Sequence, residues 1–171
     1  TQALILVPTR ELALQVTEEI LSFNAKRKLV ISPIYGGASM TEQLRRLGKG
    51  IDVVVGTPGR ILDHLRRGTL DIKALKYLIL DEADEMLNMG FREDIETILS
   101  FVPEERQTVL FSATMPGPVI AMARQYMTKP MRISAADPED ASKTKASIRQ
   151  VVYRAHHLDK DEMIGRILRA T

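Results

Sequence analysis

Five short runs of apolar residues, rich in Val, Ile and Leu, lie at Ala3 to Val7, Leu29 to Tyr35, Ile51 to Val55, Tyr77 to Leu80 and Thr108 to Phe111. A weaker sixth lies around Met131 to Ile133. The runs are nearly continuous, which marks strands buried on both faces, and they alternate with segments of helical period. Together they predict an α/β fold with a mostly parallel sheet and helices on both faces. Leu12, Val16 and Ile20 recur every four residues on one helical face, with Thr9 placed as cap. Ser39 with Glu42 three residues on has the form of a reciprocal capping box, and Gly48 and Gly50 mark that helix's exit.

Thr57 before Pro58 predicts an N-cap followed by Pro at the first helical position; Ile61, Leu62 and Leu65 then form an apolar face that ends at Gly68. His64, followed by Arg66 and Arg67, is expected at the surface. Ile95, Ile98 and Leu99 define a further helix that starts near Arg92 and stops before Pro103. Pro116, Gly117 and Pro118 lead into another, with Val119, Ala123 and Tyr126 on one side. Met86, Met89 and Phe91 suit packing rather than a binding stripe.

Residues 134–147 carry no large apolar side chain and are expected to form a linker. Beyond it, Ile148 to Tyr153 is strand-like, and Asp159 with Glu162 suits the start of a helix bearing Met163, Ile167 and Leu168. One strand and one helix cannot build a core, so this tail is expected to be mobile, docked, or paired with another chain.

Composition narrows the chemistry. A chain of 171 residues, 44% hydrophobic, can bury about two-thirds of its unfolded surface without staples. The absence of Cys excludes thiolate metal sites, cysteine nucleophiles and disulfides. A formal charge of +2, from 24 Lys and Arg against 22 Asp and Glu, requires any polyanion site to be local. No apolar run approaches a membrane span, and a cytoplasmic location is expected.

The candidate chemistry gathers at the ends of the apolar runs. Leu78 to Leu80 ends in Asp81, Glu82, Ala83 and Asp84, and ligands of open parallel sheets bind beyond such carboxyl ends. An acid at this position can hold Mg²⁺ through water while a neighbour activates the attacking water; alternatively, the acids form a merely solvated turn. Thr9 and Thr57 sit at helix N-termini, where free backbone N–H groups favour phosphate. Arg10 and Arg60 are forked cations suited to phosphate oxygens, and Gly37 and Gly59 lack a Cβ, so a backbone could approach closely. Taken singly, each Thr reads more readily as an ordinary cap, and each Arg as the partner of a helix acid. Ser112 and Thr114 offer short hydroxyls after the fifth run, where they could also bond their own turn.

Taken in order, Pro8-Thr9-Arg10-Glu11-Leu12-Ala13, Gly36-Gly37, Thr57-Pro58-Gly59-Arg60, Asp81-Glu82-Ala83-Asp84 and Ser112-Ala113-Thr114 resemble the DEAD-box family of ATP-dependent RNA helicases. The resemblance spans nearly the whole chain. It implies a RecA-like P-loop NTPase fold truncated at the N-terminus: residues 1–133 as a partial first domain, 134–147 as linker, and 148–171 as the first strand and helix of a second. ATP and Mg²⁺ are the implied cofactors, with Asp81 as the Mg²⁺ partner through water and Glu82 activating water. Thr9, Arg10, Gly37, Thr57, Gly59 and Arg60 would hold one RNA strand by its backbone, with little sequence specificity. Ser112 and Thr114 would contact Asp84 and couple nucleotide state to RNA engagement.

No G-x-x-x-x-G-K-[ST] loop occurs in the chain, and in the family it lies upstream of these motifs. The expectation is therefore a fragment of a longer enzyme, inactive by itself. Its strand at Thr108 to Phe111 should have an exposed edge, so self-association is expected through that edge or through the 148–171 tail. A non-catalytic RNA-binding or scaffold fragment is the alternative if the native chain lacks the loop. A DNA-directed motor on the same fold is a further one.

Overall fold

In the computed structural model, which describes residues 1–23, 28–134, 151 and 153–169, each of the five strong apolar runs yields a four-residue strand. These are β1 (Ala3–Leu6), β2 (Ile31–Ile34), β3 (Val53–Gly56), β4 (Tyr77–Leu80) and β5 (Gln107–Leu110). They form one sheet in the order β2-β3-β1-β4-β5, and every pairing is parallel. Pro33 is tolerated because β2 is an edge strand. The N–H groups of Val53 and Thr57 donate to the carbonyls of Val30 and Ile34, so odd-numbered Pro33 turns its missing donor away from the sheet.

The helices are α1 (Arg10–Phe23), α2 (Met40–Leu47), α3 (Pro58–Arg66), α4 (Ala83–Asn88), α5 (Arg92–Phe101), α6 (Gly117–Tyr126) and α7 (Lys160–Arg169). Alternate strand residues feed two cores. On one face Leu4, Leu6, Val54, Leu78 and Leu80 pack with Ile61 and Leu65 of α3, Ile95 and Ile98 of α5, Met86 of α4 and Val119 of α6. On the other, Ile5, Val7 and Val55 meet Leu12, Ala13, Val16 and Ile20 of α1. Helices therefore cover both faces, as the patterning implies, but unequally. Ile79 and Val109, directed away from the larger core, are only half-buried.

Helix starts follow the capping chemistry in part. Leu12 donates its N–H to Thr9 Oγ1 at 3.2 Å, and Glu42 donates its N–H to Ser39 Oγ at 3.4 Å. The Glu42 carboxylate, however, pairs with Arg45 and Arg46 instead of completing a reciprocal box. Gly68, at φ +65°, follows the end of α3, and α5 begins at Arg92 as expected.

The chain divides into two compact units, Thr1–Pro130 and Met131–Thr171. The expected sixth strand does not form: residues 131–134 are irregular, and Met131 and Ile133 are more than four-fifths exposed. Two apolar residues separated by Arg132 bury too little surface to offset the entropy of ordering a strand. Within the second unit a 3₁₀ turn, His157–Asp159, leads into α7, whose Glu162 pairs with Arg166 at 2.7 Å. Residues 135–147 of the expected linker, and residues 148–150 and 152 of the strand-like run, lie outside the described residues. No helix among the described residues is long and apolar enough to cross a membrane.

Candidate functional site

Parallel register brings the candidate residues into one row. Gly56 is paired with both Leu6 and Ile34, and Leu80 with both Leu6 and Leu110, so five strands end at one level. The ladder continues one step, with Val7, Asp81 and Phe111 donating N–H bonds to Gly56, Leu6 and Leu80 at 2.8–3.0 Å. Beyond these ends stand, strand by strand, Gly36-Gly37, Thr57, Thr9-Arg10, Asp81-Glu82 and Ser112. With neighbouring strands about 4.8 Å apart, the first three form one half of a ledge and the acids the other half.

On the acidic half, Asp81 Oδ1 accepts the N–H of Glu82 at 3.0 Å. Glu82 lies in the left-handed region, at φ +51° and ψ +51°, a conformation that costs a non-glycine residue about 1–2 kcal/mol. It persists because both neighbours are fixed: Asp81 by its bond to β1, and Ala83 by its N–H bond to the Phe111 carbonyl at 3.0 Å. The sharp turn leaves the Glu82 side chain exposed at the head of α4.

Asp84 lies one step inside α4 and meets the turn after β5. Its Oδ2 accepts from the Thr114 N–H at 2.9 Å and from the Thr114 hydroxyl at 2.6 Å. Its own N–H donates to Ser112 Oγ at 3.2 Å, while the Ser112 hydroxyl donates to the Thr114 carbonyl at 2.6 Å. These bonds, the Thr114 hydroxyl above all, hold the Asp84 carboxyl down to a pKa of about 2. Asp84, Ser112 and Thr114 are thus joined in one network across two strands.

The other half is less uniform. Thr9 uses its hydroxyl to cap α1, and Arg10 pairs with Glu11 at 3.1 Å, the local pairing that applies to each residue taken singly. Thr57 is the N-cap of α3, yet its hydroxyl makes no cap bond. Arg60 reaches across to the glycine loop and donates from Nη1 to the Ala38 carbonyl at 3.1 Å. Gly37 has φ +79° and open space around it, so the loop needs glycine for its backbone turn. Gly59 has an ordinary φ, and a Cβ there would meet only Asp94 Oδ2, at 3.6 Å.

Three residues that matter here escape sequence reasoning. Gly56, at the end of β3, has no room for a Cβ, which would lie 2.2 Å from the Ile34 carbonyl oxygen and 2.7 Å from Ile61 Cδ1. This glycine lets α3 press onto the strand ends. Gln43 is 4% exposed although it sits in a strongly charged helix. His64, expected at the surface, is fully buried: α3 turns it inward, where Thr69 and Gln43 bond its two ring nitrogens. The available signal was its position three residues after Ile61, on the inward helical face.

Among the described residues no group of three or more His, Asp or Glu side chains is arranged to hold a metal ion. Asp81 and Glu82 nevertheless suit Mg²⁺, which takes one or two protein carboxylates and completes its shell with water and phosphate oxygens.

Residues 1–123 match the sequence model of the DEAD/DEAH box helicase family. The chain is 48% identical, over 98% of its length, to the DEAD-box ATP-dependent RNA helicase CshA of Geobacillus kaustophilus, and covers 35% of that protein. It is 44% identical over 98% of its length to the protein of the same name from Bacillus subtilis, of which it covers 33%. The chain thus spans about a third of the length of these relatives. The fold is similar to the crystal structure of a DEAD box protein from Methanococcus jannaschii, with a TM-score of 0.76 and 46% identity, covering 98% of this chain and 44% of that one.

Proposed function

Because this chain belongs to the DEAD/DEAH box helicase family, we propose that it supplies the RNA-binding ledge and the acidic half of the nucleotide site of an ATP-dependent RNA helicase. Residues 1–133 are most of a first RecA-like domain, 134–147 a linker, and 148–171 the opening of a second. The observation that carries this reading is the alignment of five strand ends, which sets hydroxyls, a glycine loop and arginines beside adjacent carboxylates.

Thr57, with its hydroxyl outside the cap, and the α3 N-terminus bind a phosphate of one RNA strand. The Gly36-Gly37 backbone lies alongside, and Thr9, Arg10, Gly59 and Arg60 complete the track. Contacts of this kind give strong salt dependence and little sequence preference, and the 2′-hydroxyl distinguishes RNA from DNA. Asp81 would hold Mg²⁺ through water, and the ion would supply charge neutralisation at the phosphates of ATP. Glu82, exposed on its left-handed turn, orients the attacking water and accepts its proton. Asp84 passes changes at this end to the Ser112–Thr114 turn, and so links hydrolysis to local duplex opening. The phosphate cradle and the second domain come from the rest of the helicase, which works in the cytoplasm.

The test uses the full-length protein. Glu82→Gln should bind ATP normally but lower RNA-stimulated turnover by roughly 10²- to 10⁴-fold, the usual weight of a general base. Near-normal turnover in that variant would remove Glu82 from the role. Stimulation by single-stranded DNA equal to that by RNA would favour a DNA-directed motor, and RNA binding without any ATP turnover in the unaltered protein would favour a scaffold.

A further inference from the structure

A buried hydrogen-bond chain runs from α3 to the glycine loop and has no part in the chemistry described so far. Gln43 donates from Nε2 to the Tyr35 carbonyl at 3.0 Å, which fixes the amide so that Oε1 points the other way. Oε1 lies 3.2 Å from His64 Nε2, and an amide oxygen only accepts, so His64 carries its proton on Nε2. His64 Nδ1 then accepts from the Thr69 hydroxyl at 2.8 Å; that hydroxyl also lies 3.1 Å from the His64 carbonyl, which the Thr69 and Leu70 N–H groups already satisfy, so its one proton serves the ring. Burial, and secondarily the charge of Arg60, lowers the His64 pKa, with Asp63 opposing and Arg67 assisting, which favours the neutral ring that this geometry requires.

Every polar atom in this chain has a partner, and the chain is directional. Its far end is Tyr35, immediately before Gly36-Gly37. The near side of the same loop, Ala38, is held by Arg60. Arg60 and His64 are four residues apart on α3, and therefore share one face. The exposed glycine pair is thus tied to α3 on both flanks, while α3 itself begins at Thr57.

We propose that His64 is a positioning residue for the RNA track: through Gln43 it sets the distance between the Gly36-Gly37 backbone and the Thr57 end of α3. This rests on the reading of that ledge as an RNA site. A phosphodiester strand bound to both elements needs a fixed spacing between them, and a loop free to drift would weaken RNA binding without altering the acids that follow β4.

In the full-length protein, His64→Leu keeps bulk and removes the donor, whereas His64→Gln restores an N–H toward Gln43. His64→Leu should raise the RNA concentration for half-maximal ATPase stimulation roughly tenfold, the order of effect of orphaning one buried acceptor, with KM for ATP and kcat at saturating RNA unchanged. His64→Gln should return it to within about threefold of the unaltered protein, since the donor is regained. Gln43→Met probes the same bond from its other end, and carries the test if His64→Leu fails to fold; it should show the same RNA defect, and the pair should be non-additive. A lowered melting temperature with unchanged RNA dependence would make His64 a packing residue only, and equal defects in His64→Leu and His64→Gln would equally overturn the proposal. Thr57→Ala with Arg60→Ala separates the two ideas. If that pair leaves RNA dependence unchanged, the ledge reading fails; if it weakens RNA binding while the His64 and Gln43 variants do not, only the positioning role fails.

Discussion

Asp84 joins the acidic turn to the turn after β5, and its carboxylate is the charged member of that junction. Its pKa is lowered from 3.8 to about 2, so the folded state prefers the ionised form. The stability this adds is complete above the ordinary value and is lost as pH falls from about 4 toward 2. A carboxyl-carbon NMR titration should place the Asp84 midpoint near 2, and Thr114→Ala should move it up; a midpoint near 3.8 in the unaltered protein would contradict the network. The partnership of Asp84 with Ser112 and Thr114 was foreseeable from the family resemblance, since the residues lie about thirty positions apart and nothing local links them. His64 shows the opposite case. The arginines after it signal solvent, but its place on the inward face with Ile61 buries it, and only its partner Gln43, 21 residues earlier, is beyond what helical periodicity exposes.

Helix α3 gathers more of the candidate site than any other element, and Gly56 governs how it seats. Gly56→Ala forces Cβ against the Ile34 carbonyl and Ile61, and should cost about 3 kcal/mol by overpacking, read as a lower melting temperature. Gly59→Ala in α3, where the new Cβ makes only an ordinary 3.6 Å contact with Asp94, should leave melting unchanged or slightly raised. Equal losses in both variants would mean that α3 does not press on the strand as described. The strands were legible because they are short, continuous and apolar, and α3 because Thr57, Pro58 and Gly68 bracket it. Helix α4 was not: its sequence reads as an acidic turn, and it becomes helical because Ala83 and Met86 are buried after the Glu82 turn. Met131 to Ile133 is the opposite case, an apolar run that forms no strand.

At the scale of the molecule the sheet is asymmetric. Among the described residues one helix covers one face and five pack against the core of the other, while β5 pairs with β4 alone and Phe111 beside it is 56% exposed. An unpaired strand edge beside exposed apolar surface recruits further strands. The 171-residue chain by itself should therefore sediment as species heavier than 19.2 kDa, and a sharp monomer with cooperative melting would overturn this. The alternation of strand and helix made this architecture readable in advance, but the unequal thickness of the two layers was not, because it depends on which faces the helices choose.

Parallel strands have a kinetic consequence as well. Each must return through a crossover before it can pair, so Thr9, Gly37, Thr57 and Asp81 belong to four successive crossings, Ser112 follows the last strand, and the five share no short-range contact that could assemble them early. Closing such separated segments is slow, and the reward arrives only when the later strands dock. The central strand β1 meets β3 some fifty residues later and β4 more than seventy residues later, while Asp84 waits for Thr114. A growing polypeptide thus acquires the glycine loop and the α3 terminus before the β5 turn that joins Asp84, and the ledge is complete only after the whole sheet has formed.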